Sequence, residues 1–187
     1  MKLDKRRHFN FVEDEMAFEH KIPKAVWRGT IHQPHRLEFV KRFYQHPACD
    51  VGGYTKRDRA QPWEKGYLSI TEQLNYKYLF CIEGVDVATN LKWGMASNSL
   101  CMMPRPKYET WFMEGTLIPG VHYVELRDDC SDFEEKIEYY NNHPEKALEI
   151  IDNAHRYVEV FKHRKREDIC SYLVLRRYFK QSGQPSR

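Results

Sequence analysis

The sequence predicts an α/β fold, a parallel sheet with helices on both faces and a Rossmann-like outline. Three observations carry that expectation. Apolar runs of strand length alternate with segments of helical spacing along most of the chain. The runs themselves, such as YKYLF and SLCMM, are continuous rather than alternating, the pattern of strands buried on both sides. The mixture of 41% hydrophobic and 30% charged residues over 187 positions suits one soluble globular domain.

The elements follow in order. Residues 1–20 are charged and aromatic without a clear period, a lead-in segment. KAVWRG, 24–29, reads as a short buried strand ending in a glycine turn. HRLEFVKRFY, 35–44, sets Leu37, Val40 and Tyr44 on one helical face and charges on the other. A short strand near Cys49–Val51 closes at Gly52-Gly53, and GYTKRDRAQPWEKG is a polar surface loop. Ser69 and Glu72 have capping-box spacing ahead of the strand YKYLFCIEG. ATNLKWGMAS is the next helix, with Thr89 or Asn90 as its cap, and SLCMMP is a strand ended by Pro104 and Pro106. YETWFMEG reads as one short helix and VHYVEL as the last strand. SDFEEKIEYYNNH starts with Ser131 and Glu134 in capping positions. From Pro144, apolar residues at Ala147, Ile150, Ile151, Ala154 and Val158 mark a long helix. The domain reading is therefore 21–163, with 164–187 a basic C-terminal helix and tail.

The composition excludes several classes. Thirty Lys and Arg against 27 Asp and Glu leave a formal charge of +3, too small to indicate a nucleic-acid partner, so the reading excludes one. No apolar run approaches the roughly 20 residues that span a bilayer, and MKLDKRRHFNFVEDEM lacks the apolar core of a secretory signal. Five widely spaced cysteines without a CxxC pair read as buried free thiols of a reducing, cytoplasmic setting, with no metal site. KHRKRED, 162–168, is a solvated basic helix face or, alternatively, a peripheral contact with an anionic membrane surface.

In open parallel sheets, ligands sit beyond the carboxyl ends of the strands. Two turns stand out there. After the IEG strand, Gly84 permits close backbone approach, and Asp86, Thr89 and Asn90 are placed to meet sugar hydroxyls or phosphate oxygens. After the WRG strand, Thr30 supplies a hydroxyl and Arg36 a forked cation at a helix start. An ordinary strand–turn–helix with Asp86 as a cap fits the local pattern equally. The same kind of turn occurring twice at one sheet edge favours a shared ligand.

KIPKAVWRGT with Arg36 downstream, NYKYLFCIEGVDVATNLKWGMASNSL, YETWF and LIPGVHYVEL together resemble glycosyltransferase family 90, over roughly residues 21–155. That family includes capsule-associated sugar transferases and protein O-glucosyltransferases. The resemblance implies the C-terminal, donor-binding half of a two-domain (GT-B) enzyme that takes a UDP-sugar. By position, the donor contacts fall on Thr30, Arg36, Val85, Asp86, Val87, Ala88, Thr89 and Asn90. It further implies inverting, metal-independent transfer to a surface polysaccharide, lipopolysaccharide, lipid-linked or protein acceptor, at the inner face of the membrane, with no cofactor beyond the donor. Two departures stand out: Asn90 replaces an arginine of animal members, with Lys92 as a nearby substitute, and Glu125 replaces a proline. The family's base is an aspartate in the N-terminal half, and the 26 residues ahead of Trp27 are too few for that half. Asp4 and Asp14 match nothing, so no catalytic base is named. The alternative is a non-catalytic nucleotide-sugar-binding or partner-binding remnant.

Overall fold

The computed structural model describes residues 11–54 and 61–183; Asp4, the centre of the polar loop and the tail lie outside the described residues. Strands β1 (Ile22–Gly29), β2 (Cys49–Gly53), β3 (Tyr76–Phe80), β4 (Leu100–Pro104) and β5 (Val124–Leu126) form one five-stranded sheet in the order β2-β1-β3-β4-β5. Every pairing is parallel, with Val26 beside both Asp50 and Leu79 and Phe80 beside Met102. The helices are α1 (Pro34–Phe43), α2 (Ile70–Gln73), α3 (Leu91–Met95), α4 (Phe133–Asn142), α5 (Pro144–Lys162) and α6 (Arg164–Ser182).

Alternate strand residues feed two faces. Ala25, Trp27, Tyr78, Phe80 and Met102 meet α1 and α4 on one side. Cys81, Cys101 and Met103 meet α3 and the 110–117 segment on the other. On the first face Phe39, Phe80 and Phe133 form a tight aromatic set, with ring centroids 5.0 and 4.8 Å apart. This set decides how α1 sits. The buried face is Phe39, Val40 and Phe43 rather than Leu37, Val40 and Tyr44, because two phenylalanines one turn apart bury more area than Leu37 and Tyr44. α5 has the predicted spacing and serves both faces: Ala147, Ile150 and Ile151 join the first core, while Ala154, Val158 and Phe161 join the second.

Local caps explain where the sequence reading holds and where it departs. The Ser69–Glu72 capping box forms reciprocally and opens α2. Ser131 does not cap α4. Asp132 occupies the N-cap position, because Cys130 turns the chain at φ 55°. The Ser131 amide then donates to Asp129 and the Arg127 amide to Asp132. YETWFMEG is not a helix. Met113 adopts φ 57°, and only Glu114–Thr116 form a single 3-10 turn. Residues before β1 pack onto the body: Phe18 is buried, and Asp14 pairs with Lys21 at 2.8 Å while accepting from the Asn98 amide.

The Lys92–Glu114 ion pair lies inside the core. Lys92 Nζ is 3.0 Å from Glu114 Oε1, and both side chains are 1% exposed. Burial pushes the Glu114 carboxyl up, but the Thr110 amide and the Lys92 charge outweigh it and hold the group below its ordinary value. A depressed carboxyl gives stability that is present above its unfolded value, 4.5, and lost as pH falls through the folded one. Glu114→Gln strands the ammonium in the core and is expected to cost about 3–5 kcal/mol. Lys92→Met combined with Glu114→Gln should recover most of that. Urea unfolding measures both, and Glu114→Gln should also flatten the acid limb of stability against pH.

Candidate functional site

The chain leaves β1 for β2 on one flank and returns to β3 on the other, so the β1 and β3 carboxyl ends diverge at a crevice. Arg36, in the first turn of α1, spans it. Its Nε donates to the Glu83 carbonyl at 2.8 Å, Nη2 to the Ile82 carbonyl at 2.8 Å and Nη1 to the Thr30 carbonyl at 3.2 Å. The guanidinium also rests over the Trp27 ring, 5.4 Å from its centroid. Burial draws the Arg36 pKa down, opposed by Tyr54 and Asp86 nearby, and the group stays charged. Two of its five N–H groups remain. Gly84 fits beneath this fork: a Cβ there would lie 3.0 Å from Nη2.

The structure thus brings Arg36, Thr30 and the turn after β3 together. Thr30 is partly exposed, and its hydroxyl has no hydrogen-bond partner among the described residues. Val87 and Ala88 are 2% exposed, backbone included, and belong to the core rather than to the crevice surface. Val85, Asp86 and Thr89 are exposed. No amide from Val85 to Asn90 donates to a protein acceptor among the described residues, and those of the exposed Val85 and Asp86 lie in the turn next to Gly84 and the Arg36 guanidinium. Asn90 holds the N-cap position of α3 without capping it; its side-chain amide donates to the Phe80 carbonyl at 2.8 Å. Since α3 has five residues and little macrodipole, Arg36 is the positive group at this edge.

Other candidates lie elsewhere. Arg28 is paired with Asp50 at 2.8 Å, its side chain 5% exposed. Lys92 is committed to Glu114 in the core and does not substitute for an arginine at the crevice. Asp14 is held by Lys21. At the start of β2, Cys49 Sγ lies 3.6 Å from His46 Nδ1, and His46 Nε2 lies 2.7 Å from Glu134. Burial pushes that thiol far up, so the string holds no thiolate and serves packing.

The turns after β4 and β5 contribute as well. A cavity of about 550 Å³ opens at the carboxyl ends of β3, β4 and β5, bounded by Phe39 and Arg42 of α1, Gly84, Arg105, Tyr108 and Asp128. Glu83 ties it to the crevice. Its carbonyl accepts from Arg36, and its carboxylate accepts from the Lys107 and Tyr108 amides at 3.0 and 3.2 Å. The sequence reading missed Glu83, Arg105, Lys107, Tyr108 and Asp128. The available signal was the strand-end rule, which holds for every strand of the sheet.

Comparison with known proteins converges on one family. The profile of glycosyl transferase family 90 matches residues 4–181. The O-glucosyltransferase LpsA of Dichelobacter nodosus is 49% identical over 179 residues, covering 96% of this chain and 56% of that protein. An O-glucosyltransferase rumi homolog of Aedes aegypti is 29% identical, covering 89% and 44%. Protein O-glucosyltransferase 2 of Danio rerio is 32% identical over 141 residues, covering 72% and 28%. The chain therefore spans about half or less of the length of these relatives.

Arg36 builds the crevice as much as it faces it. Arg36→Ala should lower unfolding stability by about 2 kcal/mol, because hydrogen bonds to a charged group contribute about 1.5–3 each and water repairs part of the loss. Arg36→Lys keeps the charge but cannot reach three divergent carbonyls, so it should recover less than half of the loss in a thermal or urea melt.

Proposed function

We propose a function from one premise: the chain belongs to glycosyl transferase family 90. It binds a nucleotide-sugar donor, a UDP-sugar, at the β1/β3 crevice and acts as the donor-binding part of a glycosyltransferase. The observation that carries this reading is the juxtaposition of the Arg36 guanidinium with the exposed Val85-Asp86 turn, whose amides have no protein acceptor among the described residues. A diphosphate offers oxygens to both, and charge-assisted bonds to a guanidinium are the strong ones. In an inverting transfer the leaving diphosphate gains negative charge as the glycosidic bond breaks, and donors already in place stabilise it without reorganisation. On this reading the cations and amides do that work without a metal.

The named relatives are O-glucosyltransferases, which points to a glucosyl group moved to a hydroxyl oxygen. We assign the acceptor to a surface polysaccharide or lipopolysaccharide, or a protein, handled in the cytoplasm near the inner face of the membrane. The described helices contain none long and apolar enough to cross a bilayer. The base that takes the acceptor proton is assigned to the part of the longer relatives that this chain does not cover.

Calorimetric titration tests the reading. UDP and UDP-glucose should bind saturably, and Arg36→Ala should weaken both at least tenfold, about 1.4 kcal/mol. Thr89 is exposed and makes no bond that the fold needs, so Thr89→Glu should keep the melting temperature and still weaken UDP severalfold by charge repulsion. Failure of every nucleotide to bind at millimolar concentration overturns the proposal. Binding without glucosyl transfer, even when the rest of a longer relative is supplied, assigns the chain to a nucleotide-sugar-binding role instead.

A further inference from the structure

We propose that α6 is a docking arm for a second copy of this chain, seating its apolar and basic side on the acidic outer face of α4 and α5 in a reciprocal dimer. The inference is independent of nucleotide binding.

The first argument is exposure. Glu167, which accepts from the Trp111 indole N–H at 2.6 Å, is the one buried residue of α6. Val174 and Tyr178 continue the same side of the helix further along, yet both are exposed. From Glu167 to Ser182 the arm thus extends about 22 Å with no further buried residue. Ile169 and Tyr172, 59% and 64% exposed, stand with Leu173 on the nearly opposite side. A helix with large apolar residues on opposing sides is one that protein surrounds. A second body seated on the outer side encloses the inner stripe between itself and the first.

The second argument is charge. α6 holds six Lys and Arg against Glu167 and Asp168, a formal +4, whereas the whole chain carries +3, so everything else comes to −1. α4 and α5 hold seven carboxylates against four Lys and Arg, a formal −3. Glu135 and Glu138 on α4 are exposed and have no ion-pair partner among the described residues, and the same is true of Arg176 and Lys180 on α6. Tyr139 and Leu148 stand exposed on the acidic helices. Opposite potentials steer encounter and fix register. Two copies of α6 laid side by side would instead set +4 against +4.

The third argument separates a protein partner from a lipid surface. A helix lying in a membrane interface gathers its charges on one side and its apolar residues on the other. In α6, Arg176 and Lys180 follow Tyr172 at successive four-residue steps, so they share the side of Ile169, Tyr172 and Leu173. That mixture fits a surface offering carboxylates and apolar groups together, as α4 and α5 do. His163 alone joins α5 to α6, too short a link for the arm to lie back along its own α5, since antiparallel helices need a loop of about 2–5 residues. Arm and receiving face lie on one chain, so twofold exchange makes the contact twice and closes the assembly.

Sedimentation equilibrium and light scattering on the full chain, over a concentration series reaching the near-millimolar range, test the proposal. The mass should rise from 22.5 kDa to twice that value. Tyr172→Glu with Leu173→Glu, at exposed positions where circular dichroism should show the fold intact, should keep the chain monomeric throughout. Arg176→Glu with Lys180→Glu should weaken the dimer about tenfold or more, because like charges then face each other across the contact. Adding Glu135→Lys and Glu138→Lys to that variant reverses both sides and should recover most of the loss, a rescue that a purely structural role for Arg176 and Lys180 would not produce. A monomer at every concentration overturns the proposal, whether the arm then binds phosphatidylglycerol vesicles, the remainder of a longer relative, or neither. A dimer that survives the Tyr172 and Leu173 changes, one that ignores the charge reversal, or a reversal without recovery overturns it as well.

Discussion

Three backbone carbonyls converging on one guanidinium hold this site together. Parallel strands leave their carboxyl ends ragged, and where β1 and β3 part company the Thr30, Ile82 and Glu83 carbonyls have no strand partner across the gap. Arg36 supplies donors to all of them, and its planar fork is the only ordinary side chain with enough of them fixed in space. Van der Waals space then follows: Gly84 must lack a side chain so that the fork lies flat. Two N–H groups of the fork remain beside a turn whose amides have no protein acceptor among the described residues. On the proposed reading, the residue that builds the crevice would also be the one that meets the ligand.

The framework was largely legible in the sequence. Continuous apolar runs such as YKYLF have no polar side to show water, and they form strands buried on both faces. The 3-4 spacing from Ala147 to Val158 could only bury itself as a helix, and it does. The two strand-end turns were legible because glycine, arginine and small capping residues cluster there. What failed depended on left-handed backbone turns and side-chain captures that residue spacing does not show. Ser131 and Glu134 have cap spacing, but Cys130 takes a left-handed turn that hands the cap position to Asp132. YETWF has helical composition, yet Glu114 captures the Thr110 amide and hydroxyl, and Trp111 is drawn to Glu167 at 2.6 Å. Lys92 looked like a spare cation until its partner 22 positions on placed it in the core.

The cavity residues escaped for a different reason. Arg105, Lys107, Asp128 and Asp129 lie in short polar turns, and polar turns are the ordinary covering of strand ends. Nothing in their spacing separates a solvated turn from a lining. Only the sheet order, which runs β3-β4-β5, sets those turns against α1 and encloses a space. The topology, rather than any motif, made them neighbours.

The mixed charge of that space has a further consequence for how a donor would be divided. A cavity of one sign beside Arg36 would either draw the diphosphate inward, off the open amides, or repel the whole donor from the cleft. With Lys107 and Arg42 largely neutralising Asp128 and Asp129, neither pull dominates. At the crevice Arg36, with Asp86 nearby, is then the cation that an anionic donor would meet. Arg36 is held by the Glu83 carbonyl, and the Glu83 carboxylate holds the backbone of the cavity wall. The separation between the Arg36 fork and the Lys107–Tyr108 backbone is therefore fixed by one residue's two ends. A ligand that reached from the crevice into the cavity would have to match that separation, so the two compartments together would set a single geometric requirement.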